Sequence, residues 1–170
     1  MKTCLLIGDR SDIGRALIPF LQADGYTIIG WNGNLGLESP LVNGWDLFLC
    51  LLGAVSPVGI WNKLDYEDTL YCVHSNLLLP IKILQSCWER RNPNSSACFF
   101  AGSNPQKIMS GYLPYNMSKM ALLKAVEQIE YEIDAELPDC KVFALGPGYV
   151  KTKIHKATLE ANWPNERIAK

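Results

Sequence analysis

The sequence is short of charge. Asp, Glu, Lys and Arg together make up 19% of its 170 residues, and the net charge is −1; an average domain carries roughly 25% charged residues. Without a basic surplus, nucleic acid is excluded as an obligate partner. Long apolar runs are missing too. None reaches the ~18 residues a membrane span needs, so no membrane is expected as a partner. Histidine is scarce, with His74 and His155 only, and none of the six cysteines (Cys4, Cys50, Cys72, Cys87, Cys98, Cys140) stands in a C-x-x-C pair. No metal site is expected from that set. Most of the cysteines fall in apolar runs, as small buried hydrophobes do, and a disulfide framework would be unusual in a chain this long. The reading is a reducing cytoplasm. Met1 to Gly8 is too short an apolar stretch for a signal peptide, and Gly8-Asp9-Arg10 ends it; it reads as a first strand.

What is present is a core. Hydrophobic residues are 48% of the chain, which excludes disorder as the main state and suits a single domain over residues 1–170. With few charges to cover the surface, an oligomer is expected to hide apolar area.

Along the chain, short apolar runs alternate with helical periodicity. Thr3–Ile7, Tyr26–Trp31, Asp46–Leu52, Ala97–Ala101 and Lys141–Leu145 read as strands buried on both faces. Ile13–Ala23 reads as a helix bent or weakened by Pro19 and closed at Asp24-Gly25. Tyr66–Arg91 reads as helix interrupted by Pro80, and Tyr115–Leu137 as a long helix. Asn32–Gly44 and Gly102–Pro114 read as loops, and Asn92–Ser95 as a turn. Strand and helix in repeated alternation predict a Rossmann-like, doubly wound parallel α/β sheet of about five strands. In such sheets the ligand site lies beyond the carboxyl ends of the strands.

The residues just after each strand are therefore the candidates. Gly8-Asp9-Arg10-Ser11-Asp12-Ile13-Gly14 leads from the first strand into a helix. Its glycines let backbone approach a phosphate, and a helix N-terminus attracts negative charge. Asp12 in that place is also a residue that caps helices. Ser103 follows the fourth strand. Tyr115 and Lys119, at i and i+4, share one helix face. An ammonium beside a phenol lowers its pKa and readies it for proton exchange with a substrate oxygen. An isolated Tyr/Lys pair of this spacing would more often be plain helix surface.

Taken together, these motifs resemble the short-chain dehydrogenase/reductase family from about Lys2 to Thr152. Gly8-x3-Asp12-Ile13-Gly14 is similar to the family's G-x3-G-x-G loop, with aspartate at the middle glycine. Gly53 matches the last glycine of its N-N-A-G turn. Asn76, Ser103, Tyr115 and Lys119 match its catalytic tetrad, and Pro147-Gly148-Tyr149-Val150-Lys151-Thr152 resembles its P-G-x-V-x-T segment. The resemblance implies an oxidoreductase moving a hydride between NAD or NADP and a small-molecule carbonyl or alcohol. Tyr115 would exchange the proton, Ser103 would hold the oxygen, Lys119 would lower the tyrosine pKa and bind the nicotinamide ribose, and Asn76 would anchor a water. Cofactor contacts would come from Gly8, Arg10, Ser11, Asp12, Ile13, Gly14, Asn32, Gly53, Lys119, Pro147, Gly148, Val150 and Thr152. Gln106, Met109, Tyr112 and the short C-terminal segment at about 149–170 would face the substrate. The helices around Tyr66–Arg91 and Tyr115–Leu137 would pair with their copies in a homodimer or homotetramer.

The departures from the family pattern are specific. Asn32-Gly33 replaces the residue that separates NAD from NADP in the family; Arg10 and Arg15 favour NADP, and Asp9 opposes it. Between Trp31 and Asp46 there is no room for the family's third strand, which is expected to be missing. The family's last helix and strand have no counterpart before Lys170, either because the member is reduced or because the chain continues. A non-catalytic NAD(P)-binding sensor or partner subunit is the alternative. A sugar-nucleotide epimerase or dehydratase would require a larger C-terminal domain.

Overall fold

The computed structural model describes residues 2–31, 43–102, 108–136, 139–148, 150–154 and 156. Five strands, β1 (Lys2–Ile7), β2 (Tyr26–Trp31), β3 (Trp45–Cys50), β4 (Arg91–Phe100) and β5 (Lys141–Leu145), form one all-parallel sheet in the order β2-β1-β3-β4-β5. Helix α1 (Asp12–Ala23) covers one face; α2 (Tyr66–Val73), α3 (Leu79–Cys87) and α4 (Leu113–Glu136) follow β3 and β4 in the chain. This is the expected doubly wound, Rossmann-like arrangement.

The strand sequences explain the layering. Side chains alternate across a strand, so β1 sends Leu5 and Ile7 one way and Cys4 and Leu6 the other. Leu5 and Ile7 join Phe48, Phe99, Val142 and the α3 and α4 residues Ile83, Leu84, Leu122 and Val126 in the larger core. Cys4 and Leu6 pack with Leu49, Cys98 and the α1 residues Leu17, Ile18 and Leu21. All four β1 side chains are fully buried. The largest buried side chain, Trp45, donates its indole N–H to the Cys87 carbonyl at 2.9 Å, so burial leaves no polar atom unpaired there.

Pro19 lies inside α1, which runs unbroken from Asp12 to Ala23, and one local expectation, the turn at Asn92–Ser95, needs correction. Pro19 and Arg15 are both exposed, so water can serve the Arg15 carbonyl that the proline cannot. The helical stretch from Tyr66 is interrupted, as expected, around Pro80: α2 ends at Val73, a π-helical turn spans His74–Leu78, and α3 begins at Leu79. Pro80 has no N–H to give the Asn76 carbonyl, and the widened turn absorbs that defect. The Asn92–Ser95 segment is no free turn but part of β4, with Asn94 at φ 61° and a register irregularity against β3. The expected loop at Asn32–Gly44 lies outside the described residues up to position 42.

The chain steps outward from β1 to β2, then crosses back to place β3 on the other side of β1. The carboxyl ends of β1 and β3 therefore flank the topological switch point, where sheets of this kind open a crevice for ligands. Among the described residues, no helix is long and apolar enough to cross a membrane.

Candidate active site

At the end of β1 the chain turns sharply at Gly8, whose φ of 90° suits glycine and whose amide donates to the Trp31 carbonyl at 2.7 Å. Ser11, not Asp12, caps α1: its hydroxyl accepts from the Gly14 amide at 3.0 Å. A side chain at Gly14 would run into the Gly8 carbonyl and come within 2.9 Å of the Asp9 carbonyl oxygen. The loop is thus drawn tightly onto the first turn of α1, with amides gathered at a helix N-terminus, a geometry that suits a pyrophosphate. Asp12 was expected to cap the helix; instead its carboxylate accepts from the Lys153 amide at 2.8 Å. An internal anion therefore bridges the glycine loop to the segment that follows Pro147-Gly148.

The ends of β3 and β4 hold the second half of the site. Lys119 is 3% exposed. Its ammonium donates to the Phe100 carbonyl at 2.8 Å and the Leu52 carbonyl at 3.2 Å, at the carboxyl ends of the two strands. Burial pulls its pKa down to about 8, against a smaller opposing pull from Cys50 and Cys72. Asn76, fully buried in the π-helical turn, accepts from the Ala54 amide at 3.0 Å and donates to the Ala54 carbonyl at 2.7 Å and the Cys72 sulfur at 3.3 Å. It therefore fixes the turn after β3. A Cβ on Gly53 would lie 3.0 Å from Asn76 Oδ1 and 3.3 Å from Lys119 Nζ. That explains why this position of the turn is a glycine: Asn76 and Lys119 meet across it.

Tyr115 sits one turn before Lys119 on α4. A Cβ on Gly102, just past β4, would come within 2.8 Å of its hydroxyl. The phenol is half-buried, and burial, then Cys72, pushes its pKa up. This corrects the expectation that Lys119 lowers it. The ammonium is directed to two backbone carbonyls and is itself held toward neutrality by burial, so it gives the phenol no resolved electrostatic help.

Asn76, Tyr115, Lys119 and Gly53 thus converge at the ends of β3 and β4, while Gly8, Ser11, Asp12, Ile13 and Gly14 line the end of β1. Pro147 and Gly148 follow β5, with Gly148 at φ 75° and, among the described residues, nothing within 4 Å of the place a Cβ would take. Val150 is exposed, and the Thr152 carbonyl accepts from the Lys156 amide at 3.0 Å in a short helical turn. Arg10 and Arg15 are exposed. Met109 is half-buried and Tyr112 is buried. Ser103, Asn32, Gln106 and Tyr149 lie outside the described residues. Cys72 was not anticipated at the site; it stands four residues before Asn76, so helical spacing could have paired them. Asp9 was read only as opposing NADP, and nothing in the sequence placed it over β2.

No family profile matches the sequence, and no curated protein does. Solved structures do. The aldohexose dehydrogenase of Thermoplasma acidophilum superposes with a TM-score of 0.80 at 15% identity, covering 98% of this chain and 74% of that one. A short chain dehydrogenase family protein from Francisella tularensis gives 0.79 at 17% identity, with 99% and 78% covered. A short-chain dehydrogenase/reductase from Brucella melitensis gives 0.77 at 16%, with 95% and 78% covered. The class is therefore the doubly wound α/β fold. More narrowly, it is the fold of the short-chain dehydrogenase/reductase structures, of which this chain covers 74–78% of the length.

Proposed function

We propose that this protein is an NAD(P)-dependent oxidoreductase acting on a small carbonyl or alcohol. The observation that carries the reading is the convergence of Tyr115 and Lys119, on one face of α4, with Asn76 and Gly53 at the ends of β3 and β4. The glycine cradle from Gly8 to Gly14 fits a dinucleotide pyrophosphate, Lys119 would hold the nicotinamide ribose, and Pro147 to Thr152 would border the nicotinamide. When bound, the dinucleotide supplies or accepts the hydride. The chain's part is proton traffic and geometry. In the reducing direction Tyr115 gives its phenolic proton to the oxygen developing negative charge, and its raised pKa keeps that proton in place at neutral pH. Ser103 is the second donor to that oxygen. Lys119, with a pKa near 8, can take up and return a proton near neutral pH. Asn76 holds the floor of the site and would anchor a water there.

One observation favours a second reading. Asp12 stands at the glycine loop with its carboxylate tied to the Lys153 amide, which favours a non-catalytic NAD(P)-binding sensor or partner subunit of the same fold. Titrating the protein with NADH and NADPH, followed by nicotinamide fluorescence, separates these outcomes. Micromolar binding followed by turnover of some carbonyl supports the enzyme; binding without turnover supports the sensor; no binding up to millimolar concentration sinks both.

We further propose a homodimer or homotetramer built on α3 and α4. Ile81, Leu84, Trp88, Ile129 and Ile133 line a groove of about 320 Å³ between the helices, and Leu78, Met117, Met120 and Tyr131 are exposed nearby in sequence. Light scattering showing a monomer at micromolar concentration would count against it. All six cysteines are free and buried, which supports a reducing cytoplasm.

A further inference from the structure

We propose that Asp9 is the residue that selects the dinucleotide, and that it selects NAD(H) over NADP(H). The inference rests on the oxidoreductase reading above and reverses the preference that Arg10 and Arg15 suggest in the sequence. Asp9 is the second residue of the glycine loop, directly after β1. Its side chain does not turn into solvent but lies over β2: a Cβ on Gly30 would come within 2.6 Å of Asp9 Oδ2 and 2.7 Å of its carboxyl carbon. Gly30 pairs with Leu6, and the next residue, Trp31, pairs with Ile7. The carboxylate thus rests against the last turn-ward residues of β2, beside the crevice.

That location has a chemical meaning. In dinucleotide-binding α/β sheets, a carboxylate at the end of the second strand accepts hydrogen bonds from the adenosine ribose. Here the residue following β2 is Asn32, which carries no charge. Asp9 brings a carboxylate to the same strand end from the neighbouring loop, and the missing side chain at Gly30 is what makes room for it. The second observation is an unfilled valence. Asp9 Oδ1 is buried and has no hydrogen-bond partner among the described residues, whereas buried carboxylate oxygens in folded proteins nearly always have donors. A ribose 2′-hydroxyl is a donor of the right kind. A 2′-phosphate is not: it brings negative charge against the carboxylate and has no proton to give at neutral pH, so the group that welcomes one dinucleotide repels the other. Arg10 and Arg15 are exposed, and a charge in water acts more weakly than one held at the strand end.

The test is fluorescence titration of the full-length protein with NADH and with NADPH, for the wild type, Asp9→Asn and Gly30→Ala. Asp9→Asn keeps shape and removes charge. Gly30→Ala leaves Asp9 in the sequence but displaces its carboxylate, so the two variants reach one prediction by independent routes, and circular dichroism checks that each folds. The wild type should bind NADH at least ten-fold more tightly than NADPH, and both variants should shrink that ratio by ten-fold or more, mainly by gaining NADPH affinity. A wild type that prefers NADPH, or a preference unchanged in both variants, overturns the role of Asp9 and leaves the oxidoreductase reading standing. A wild type that binds neither dinucleotide overturns that reading, and the assignment of Asp9 with it.

Discussion

Replacing Lys119 with methionine should change how stability depends on pH between 7 and 9.5. The ammonium is almost wholly enclosed, and burial holds its pKa at about 8 against 10.5 for the free side chain. In the unfolded chain the same lysine keeps its proton to the higher value. Between those limits the unfolded state binds more protons than the folded one, so stability rises with pH. The gap corresponds to a burial cost of roughly 3 kcal/mol, present in full below pH 8 and relieved as pH climbs toward 10.5. By pH 9.5 about 2 kcal/mol of it should be gone. With a urea slope of roughly 2 kcal/mol per molar, the wild-type midpoint should rise by about 1 M relative to Lys119→Met between pH 7 and 9.5. The buried thiols act in the opposite sense. Cys4 and Cys50 are pushed up to about 12 and Cys87 and Cys98 to about 11, so they erode stability above pH 9 in both proteins; Cys4, Cys87 and Cys98 cancel in the difference, and Cys50, which Lys119 influences, leaves a small remainder. Loss of the donor to Leu52 and Phe100 offsets the variant by a constant. Urea midpoints at three or four pH values therefore suffice. A difference between the two proteins that stays flat from pH 7 to 9.5 would refute a buried, partly neutralised Lys119.

Other changes probe the neighbouring parts. Asn76→Ala removes both bonds to Ala54 and leaves a buried void, and should cost about 3 kcal/mol in urea unfolding; a cost under about 1 kcal/mol would mean that Asn76 does not hold the turn. Gly53→Ala pushes a methyl against Asn76 and Lys119 and should cost about 1–2 kcal/mol, lowering Tm by roughly 3–6 °C by calorimetry; an unchanged Tm would show that the contact is looser than described. Asp12→Gly removes the carboxylate that bridges to Lys153 and should tighten dinucleotide binding by about five-fold, or ~1 kcal/mol. Weaker binding in that variant would mean that Asp12 helps hold the ligand rather than competing with it.

Much of the fold could be read from the chain because β1, β2 and β5 are short apolar runs closed by Gly8, the Asn32-Gly33 pair and Gly146. Only β1 is buried on both faces; the outer strands β2 and β5 stay partly exposed, yet their apolar runs still mark them as strands. The segment around Asn76 was harder. Pro80 signals an interruption, but only the tertiary contact to Ala54 decides that the defect becomes a widened turn instead of a helix end. Asn92–Ser95 carries strong turn residues, yet pairing of Arg91 and Ser96 with β3 on either side holds it within β4 as an irregularity, where Asn94 takes the left-handed conformation that asparagine tolerates. In the site, the spacing of Tyr115 and Lys119 was sufficient to put them on one face. It could not reveal where the ammonium points, because Leu52 and Phe100 meet it only through the sheet. The same holds for Asp12 and Lys153, 141 positions apart, and for Asp9 above Gly30.

The central claim is that Tyr115 is the proton donor of a hydride-transfer site. It is tested most directly by single-turnover oxidation of bound reduced dinucleotide against a panel of small aldehydes and ketones, comparing wild type with Tyr115→Phe. The account predicts that both proteins bind the dinucleotide alike and that the wild type reduces at least one carbonyl. In the variant, which keeps the ring and loses only the proton, the rate should fall by roughly 10²–10⁴. Equal rates in the two proteins, or dinucleotide binding with no carbonyl reduced by the wild type, would contradict it.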